Sequence, residues 1–101
     1  MSDWKRLMPL TFEWDLCKAR SNLAKHGVGF EEASTIFGDS LSLTIPDPEH
    51  SLAEKRFITM GRAFTGKLLV VVHTDRGDNI RIISARRASR RERKFYEEII
   101  E

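Results

Sequence analysis

Seven basic side chains crowd the stretch from Arg81 to Tyr96, which reads RIISARRASRRERKFY: Arg81, Arg86, Arg87, Arg90, Arg91, Arg93 and Lys94, against a single acid, Glu92. Guanidinium groups offer paired donors that match phosphate geometry, so this stretch suits the binding and polarising of a phosphodiester. Residues 79–86 alternate and are rich in β-branched side chains, which predicts a strand. Ser89-x-x-Glu92 then has the spacing of a capping box, and Phe95, Tyr96 and Ile99 follow at helical intervals. Arginine in the first turn of a helix opposes the backbone dipole. The expected compensation for Arg90, Arg91 and Arg93 is an anion bound at the junction, where free N–H groups and cations converge. The plain alternative is a solvated basic face. On a regular strand Arg81 and Arg86 point to opposite faces, being five residues apart, so one phosphate reaches both only if the strand twists or bulges.

The remaining acid–base groups are Lys25, His26, Glu54, His73 and Tyr96. With arginine in excess, this inventory suits cleavage of RNA. RNA carries its own nucleophile, the 2′-hydroxyl. A protein need only take its proton, stabilise the crowded phosphate and protonate the leaving oxygen. Other chemistries lack their residues. His26, His50 and His73 are far apart, and no HxxH, CxxC or HExxH spacing exists, so no metal site is expected; Asp47, Glu49 and His50 read as an ordinary acidic loop. Gly27-x-Gly29 lacks the further glycines and preceding strand of a phosphate loop. Cys17 has no neighbouring histidine in sequence and reads as a small apolar residue, and Ser84 has no GxSxG surround.

Composition sets the frame for these groups. A chain of 101 residues makes one domain and buries roughly two-thirds of its unfolded surface, enough for one modest core. Apolar residues at 41% and charged residues at 32% suit a folded soluble domain. The net charge of +2 is uninformative, but its distribution is polar: acids gather in 31–32, 39–54 and 97–101, bases at the strand–helix junction. A single cysteine excludes an internal disulfide and points to a reducing compartment. Residues 1–10 have no apolar signal core and no run approaches a membrane span, so a cytoplasmic protein without membrane contact is expected, with 1–9 as a flexible extension.

The elements that must position the basic junction follow from periodicity. Residues 10–14 alternate as a first strand, and Asp15 suits a helix N-cap. Leu16, Ala19 and Leu23 mark the inner face of a helix stopped by Gly27; Phe30, Ala33, Ile36 and Phe37 mark that of a second, stopped by Gly38. Strands are predicted over 40–45, 56–62 and 68–72, with 75–78 as a hairpin turn into the basic strand. The unbroken apolar run 68–72 predicts the central strand. Connections after Arg56 are too short for crossovers, so those strands are antiparallel. The order β-α-α-β-β-β-β-α gives class α+β, a twisted antiparallel sheet packed on one side by helices.

Several of these segments also carry a resemblance. Phe12-Glu13-Trp14-Asp15, Asn22-x-x-Lys25-His26-Gly27-Val28-x-Phe30-Glu31-Glu32-Ala33, Phe37-Gly38-Asp39, Glu54-x-Arg56-Phe57, Gly61, and residues 81–88 with Tyr96 resemble the BrnT toxins of BrnT/BrnA pairs. The match runs in order from Phe12 onward. Leu16 departs from it, since many relatives have proline after the aspartate, a change confined to the start of the first helix. The resemblance implies a RelE-like fold and a cofactor-free ribonuclease that arrests translation. It also implies a BrnA-like antitoxin, whose complex with the toxin represses their own promoter, the DNA being read mainly by the antitoxin.

The resemblance leaves the catalytic residues open, because RelE-like toxins vary in which side chains act, so the expected roles come from the residues themselves. Arg81 and Arg86 hold the scissile phosphate, with Arg62 a further candidate, and Arg62, Arg87, Arg90 and Arg91 bind the RNA backbone. Lys25, His26 or Glu54 serves as base, and Tyr96 positions a nucleobase or gives a proton. The competing expectation is a non-enzymatic module whose basic surface docks nucleic acid or an acidic partner.

Overall fold

The computed structural model describes residues 10–48 and 54–100. The expected extension at 1–9, and Glu49 and His50 of the acidic loop, lie outside them.

The sheet has five strands: β1 (Thr11–Glu13), β2 (Leu43–Pro46), β3 (Arg56–Arg62), β4 (Leu68–Arg76) and β5 (Asn79–Arg87), in the order β1-β5-β4-β3-β2. The apolar run places β4 in the middle, as its sequence requires: Leu68 to Val71 are buried on both faces. The strands β2 to β5 pair antiparallel. β1 is the exception, joining β5 in parallel through Thr11↔Asn79, Phe12↔Ile80 and Glu13↔Arg81. It can do so because most of the chain intervenes between the two strands. β4 runs to Arg76, four residues beyond the expected end, so the hairpin turn is Gly77-Asp78 alone. β2 is shorter than expected, because Asp39 draws residues 40–41 into a turn by accepting the Leu41 N–H at 2.9 Å.

Asp15 caps α1 (Leu16–His26), accepting the Lys18 N–H at 3.0 Å, and Gly27 ends it in the left-handed conformation at φ 70°. α2 (Phe30–Ser34) continues as a 3-10 turn over Thr35–Gly38 rather than as one helix. Phe30, Ala33 and Ile36 press with Val28 on Leu69, Val71, Ile82 and Ala85 to form the core. Gly61 permits this closeness: a Cβ there would lie 3.2 Å from the Ile36 carbonyl oxygen and 3.1 Å from Ser42.

Two expectations are corrected. Leu16 and Leu23 do not face the core but stand 71% and 55% exposed; α1 turns Ala19 and Asn22 inward instead. The helix lies against the free edge of β5, where a short amide can reach backbone and a leucine cannot satisfy it. Nor do the helices share one side. α3 (Arg90–Ile100) sends Glu92 and Phe95 to a cavity lined by Leu43, Ile45, Ile58, Met60 and Val70, on the face opposite the α1–α2 core.

Candidate active site

The site is built on β5, and an irregularity in that strand decides its geometry. Pairing with β4 runs Thr74↔Arg81 and His73↔Ile82, then slips, so that Val72 faces Ser84 and Ile83 is left over as a bulge. Past the slip Val71 faces Ala85 and Val70 faces Arg86. Residues directly opposed in a sheet share a face. Val70, Val72 and Thr74 alternate along β4, so Arg86, Ser84 and Arg81 all lie on their side. The bulge removes the parity conflict between the two arginines. The same register places Arg56 and Arg62 of β3 and Arg76 of β4 on that face.

The bulge is held from the edge by Asn22. Its side-chain amide donates to the carbonyls of Ala85 at 2.8 Å and Val28 at 3.0 Å, and its oxygen accepts the Ala85 N–H at 3.1 Å. Buried at 7% exposure, Asn22 acts as a one-residue strand where β1 no longer covers β5. Sequence reasoning missed this role; the only signal was Asn22's place in the motif.

α1 thereby frames an open concavity of about 330 Å³ between its own Cys17, Lys18, Ser21, Asn22, Lys25 and His26 and Ile83 and Ser84 of β5. Lys25 and His26 are exposed and, among the described residues, have no carboxylate partner. Ser84 belongs to both groups, standing between Arg81 and Arg86 along the strand and lining the concavity.

Both phosphate candidates carry a carboxylate. Arg81 Nη1 donates to Glu13 Oε2 at 2.9 Å. Hydrogen bonds from Asn79 and then Arg81 hold the Glu13 carboxyl below its ordinary range. Arg86 grips Glu92 with both nitrogens, at 2.8 and 2.9 Å. Ser89 and Glu92 complete the capping box reciprocally, Ser89 N–H to Oε1 at 2.8 Å and Glu92 N–H to Ser89 Oγ at 3.1 Å. The anion expected at the strand–helix junction is therefore the chain's own Glu92, whose carboxyl these contacts, Arg86 foremost, draw down to about 2. Glu92 raises the Arg86 guanidinium in turn. Among the described residues Arg87, Arg90 and Arg91 are exposed and have no carboxylate partner.

Three candidates fall outside this cluster. Tyr96 is buried at 1% exposure, and its hydroxyl donates to Asp39 Oδ2 at 2.6 Å. Burial, then Asp39, pushes its phenol up to about 12. Tyr96 is not among the residues lining the concavity. Arg62 lies 5.7 Å from the Tyr96 ring centroid and bonds Gly66 O and Glu97. Glu54 pairs with Arg76 at 3.3 Å near the β4–β5 turn. No group of three or more metal-donor side chains forms among the described residues, and no helix there is long and apolar enough to cross a membrane.

A five-stranded mixed sheet with a helical pair on one face and a C-terminal helix on the other is the α+β fold of a solved ribonuclease toxin. The crystal structure of BrnT from Brucella abortus matches with a TM-score of 0.59 at 24% identity, over 81% of this chain and all of that one. The family model described as the ribonuclease toxin BrnT of type II toxin–antitoxin systems matches residues 14–92, most of the chain, and the protein belongs to that family. No curated protein sequence matches it.

Proposed function

We propose that the protein is a metal-independent endoribonuclease that arrests translation by cleaving RNA through 2′-hydroxyl attack. Arg81 and Arg86 hold the scissile phosphate from the sheet face. The base comes from the α1 side, from His26 or Lys25, with Ser84 at the seam. The observation that carries this reading is the Ile83 bulge, which turns Arg81, Ser84 and Arg86 to one side. Glu13 and Glu92 hold the guanidinium groups until a phosphate, which the same forks can bind through paired donors, exchanges for them. A BrnA-like antitoxin neutralises the enzyme, and their complex acts on promoter DNA through the antitoxin.

The two ion pairs also favour a second reading, in which the basic face only docks nucleic acid or an acidic partner. Incubation of the purified protein with RNA in chelator separates them. Fragments ending in cyclic phosphate support the enzyme, and intact RNA that stays bound supports the docking module.

A further inference from the structure

We propose that the cavity beside Phe95 seats one nucleobase of the RNA, with the Phe95 ring stacked on it, next to the phosphate held by Arg86; this rests on the nuclease reading. Phe95 stands 54% exposed on α3, beside the fully packed Tyr96. Its ring borders a cavity of about 130 Å³ whose other walls are Leu43, Ile45, Ile58, Met60 and Val70, with Glu92 at the rim. The cavity is a little smaller than the apolar cavity of about 150 Å³ that takes benzene, so it suits one six-membered ring inserted in part, with its substituents left outside. Val70 is the cross-strand neighbour of Arg86, which places the cavity on the phosphate side of the sheet.

The surroundings favour a base over other apolar guests. Arg56, Arg62, Arg76, Arg81 and Arg86 share this face with the cavity. A guest that brings a flat ring between repeated negative charges is a nucleic-acid strand. Glu92 further supplies an acceptor. Cytosine can donate to it from its exocyclic amino group and uracil from its N3–H, so either pyrimidine can meet this acceptor. The aromatic role expected of Tyr96 passes to its neighbour, because the helix turns Tyr96 into the protein and Phe95 out of it.

The test uses the full chain and 2′-O-methyl RNA, which binds but lacks the nucleophile. Phe95→Ala should keep the wild-type circular dichroism, since the ring is half in solvent, and should weaken binding about tenfold, the scale of one lost base stack. Phe95→Trp should restore it. In a series of oligonucleotides each missing one base, a single position should bind the wild type as poorly as the alanine variant binds intact RNA. At that position the variant should show no further loss. An equal loss at every position would overturn the seat. So would unchanged RNA affinity in Phe95→Ala coupled to lost binding of an acidic partner protein, which would give the cavity to that partner. Wild-type protein that neither binds nor cuts RNA would overturn the nuclease and the seat together, whereas Phe95→Ala binding and cutting as wild type overturns the seat alone.

Discussion

Arg86 and Glu92 close a two-pronged ion pair between the end of β5 and the first turn of α3, and the same Glu92 oxygen that takes Arg86 Nη1 also accepts the Ser89 N–H. One carboxylate thus caps the helix, offsets the arginines of its first turn and holds a proposed phosphate ligand in place. Because the folded-state carboxyl sits near 2, below its ordinary 4.5, the contact stabilises the fold above about pH 4.5 and is lost as pH falls toward 2. About a third of the Glu92 side chain is in solvent, so the contribution is about 1–2 kcal/mol rather than the full shift. Urea unfolding of the wild type and Glu92→Gln should differ by this amount at pH 7 and converge near pH 2.

Arg81→Ala and Arg86→Ala should each lower RNA cleavage by about a hundredfold or more, the scale of losing one charged donor at a reacting centre. Both variants should remain folded, since neither side chain is buried in the core. Cleavage of a labelled RNA and growth arrest on expression measure the effect; full activity in both would remove these arginines from the mechanism.

Tyr96→Phe tests the opposite expectation. The hydroxyl bonds an Asp39 carboxylate that also accepts the Arg62 N–H. Burial pulls the Asp39 carboxyl upward, but the Arg62, Tyr96 and Leu41 hydrogen bonds together leave it lowered. Loss of the hydroxyl should cost about 1.5–3 kcal/mol, a hydrogen bond to a charged group. Cleavage should stay within about threefold of wild type, as for a residue outside the chemistry.

Asn22→Ala should be more damaging than its polar, helical setting suggests. It leaves the Ala85 N–H and two carbonyls without partners at a buried edge. A loss of about 2–4 kcal/mol is expected in chemical unfolding. Hydrogen exchange at the Ala85 amide should quicken in the variant; an unchanged rate would mean that water or another group replaces the side chain at no loss.

His73 gives the fold an acid sensitivity near neutrality. Its Nε2 lies 2.7 Å from Thr59 Oγ1, its ring packs by Phe37 and Phe57, and Nδ1 is buried with no partner among the described residues. Burial lowers its basicity, outweighing the nearby Asp75. The unfolded chain therefore binds the proton more readily, so the stabilising effect is full above about pH 6.5 and is lost as pH falls through the lower folded value. Thermal midpoints of the wild type should drop across that window, and those of His73→Phe should lose that part of the slope.

The local order of this protein was legible because it rests on neighbours in sequence. The alternation of residues 56–62 and 79–82, the Asp15 cap, the left-handed Gly27 and the Ser89–Glu92 box each depend on groups a few residues apart. The apolar run of β4 announced the central strand, since only a strand covered on both faces has no polar side. The basic character of β5 and α3 was equally plain.

Tertiary structure decided what those pieces do together. Whether Arg81 and Arg86 share a face depended on Ile83 being extra, which the strand sequence does not encode; it follows from the pairing with β4 and from the grip of Asn22, 63 residues before Ala85. The partners Glu13 and Glu92, the exposure of Leu16 and Leu23 and the burial of Tyr96 beside an open Phe95 also came from packing. Periodicity tells which side chains lie on the same stripe, and only the surfaces that meet tell which stripe is covered.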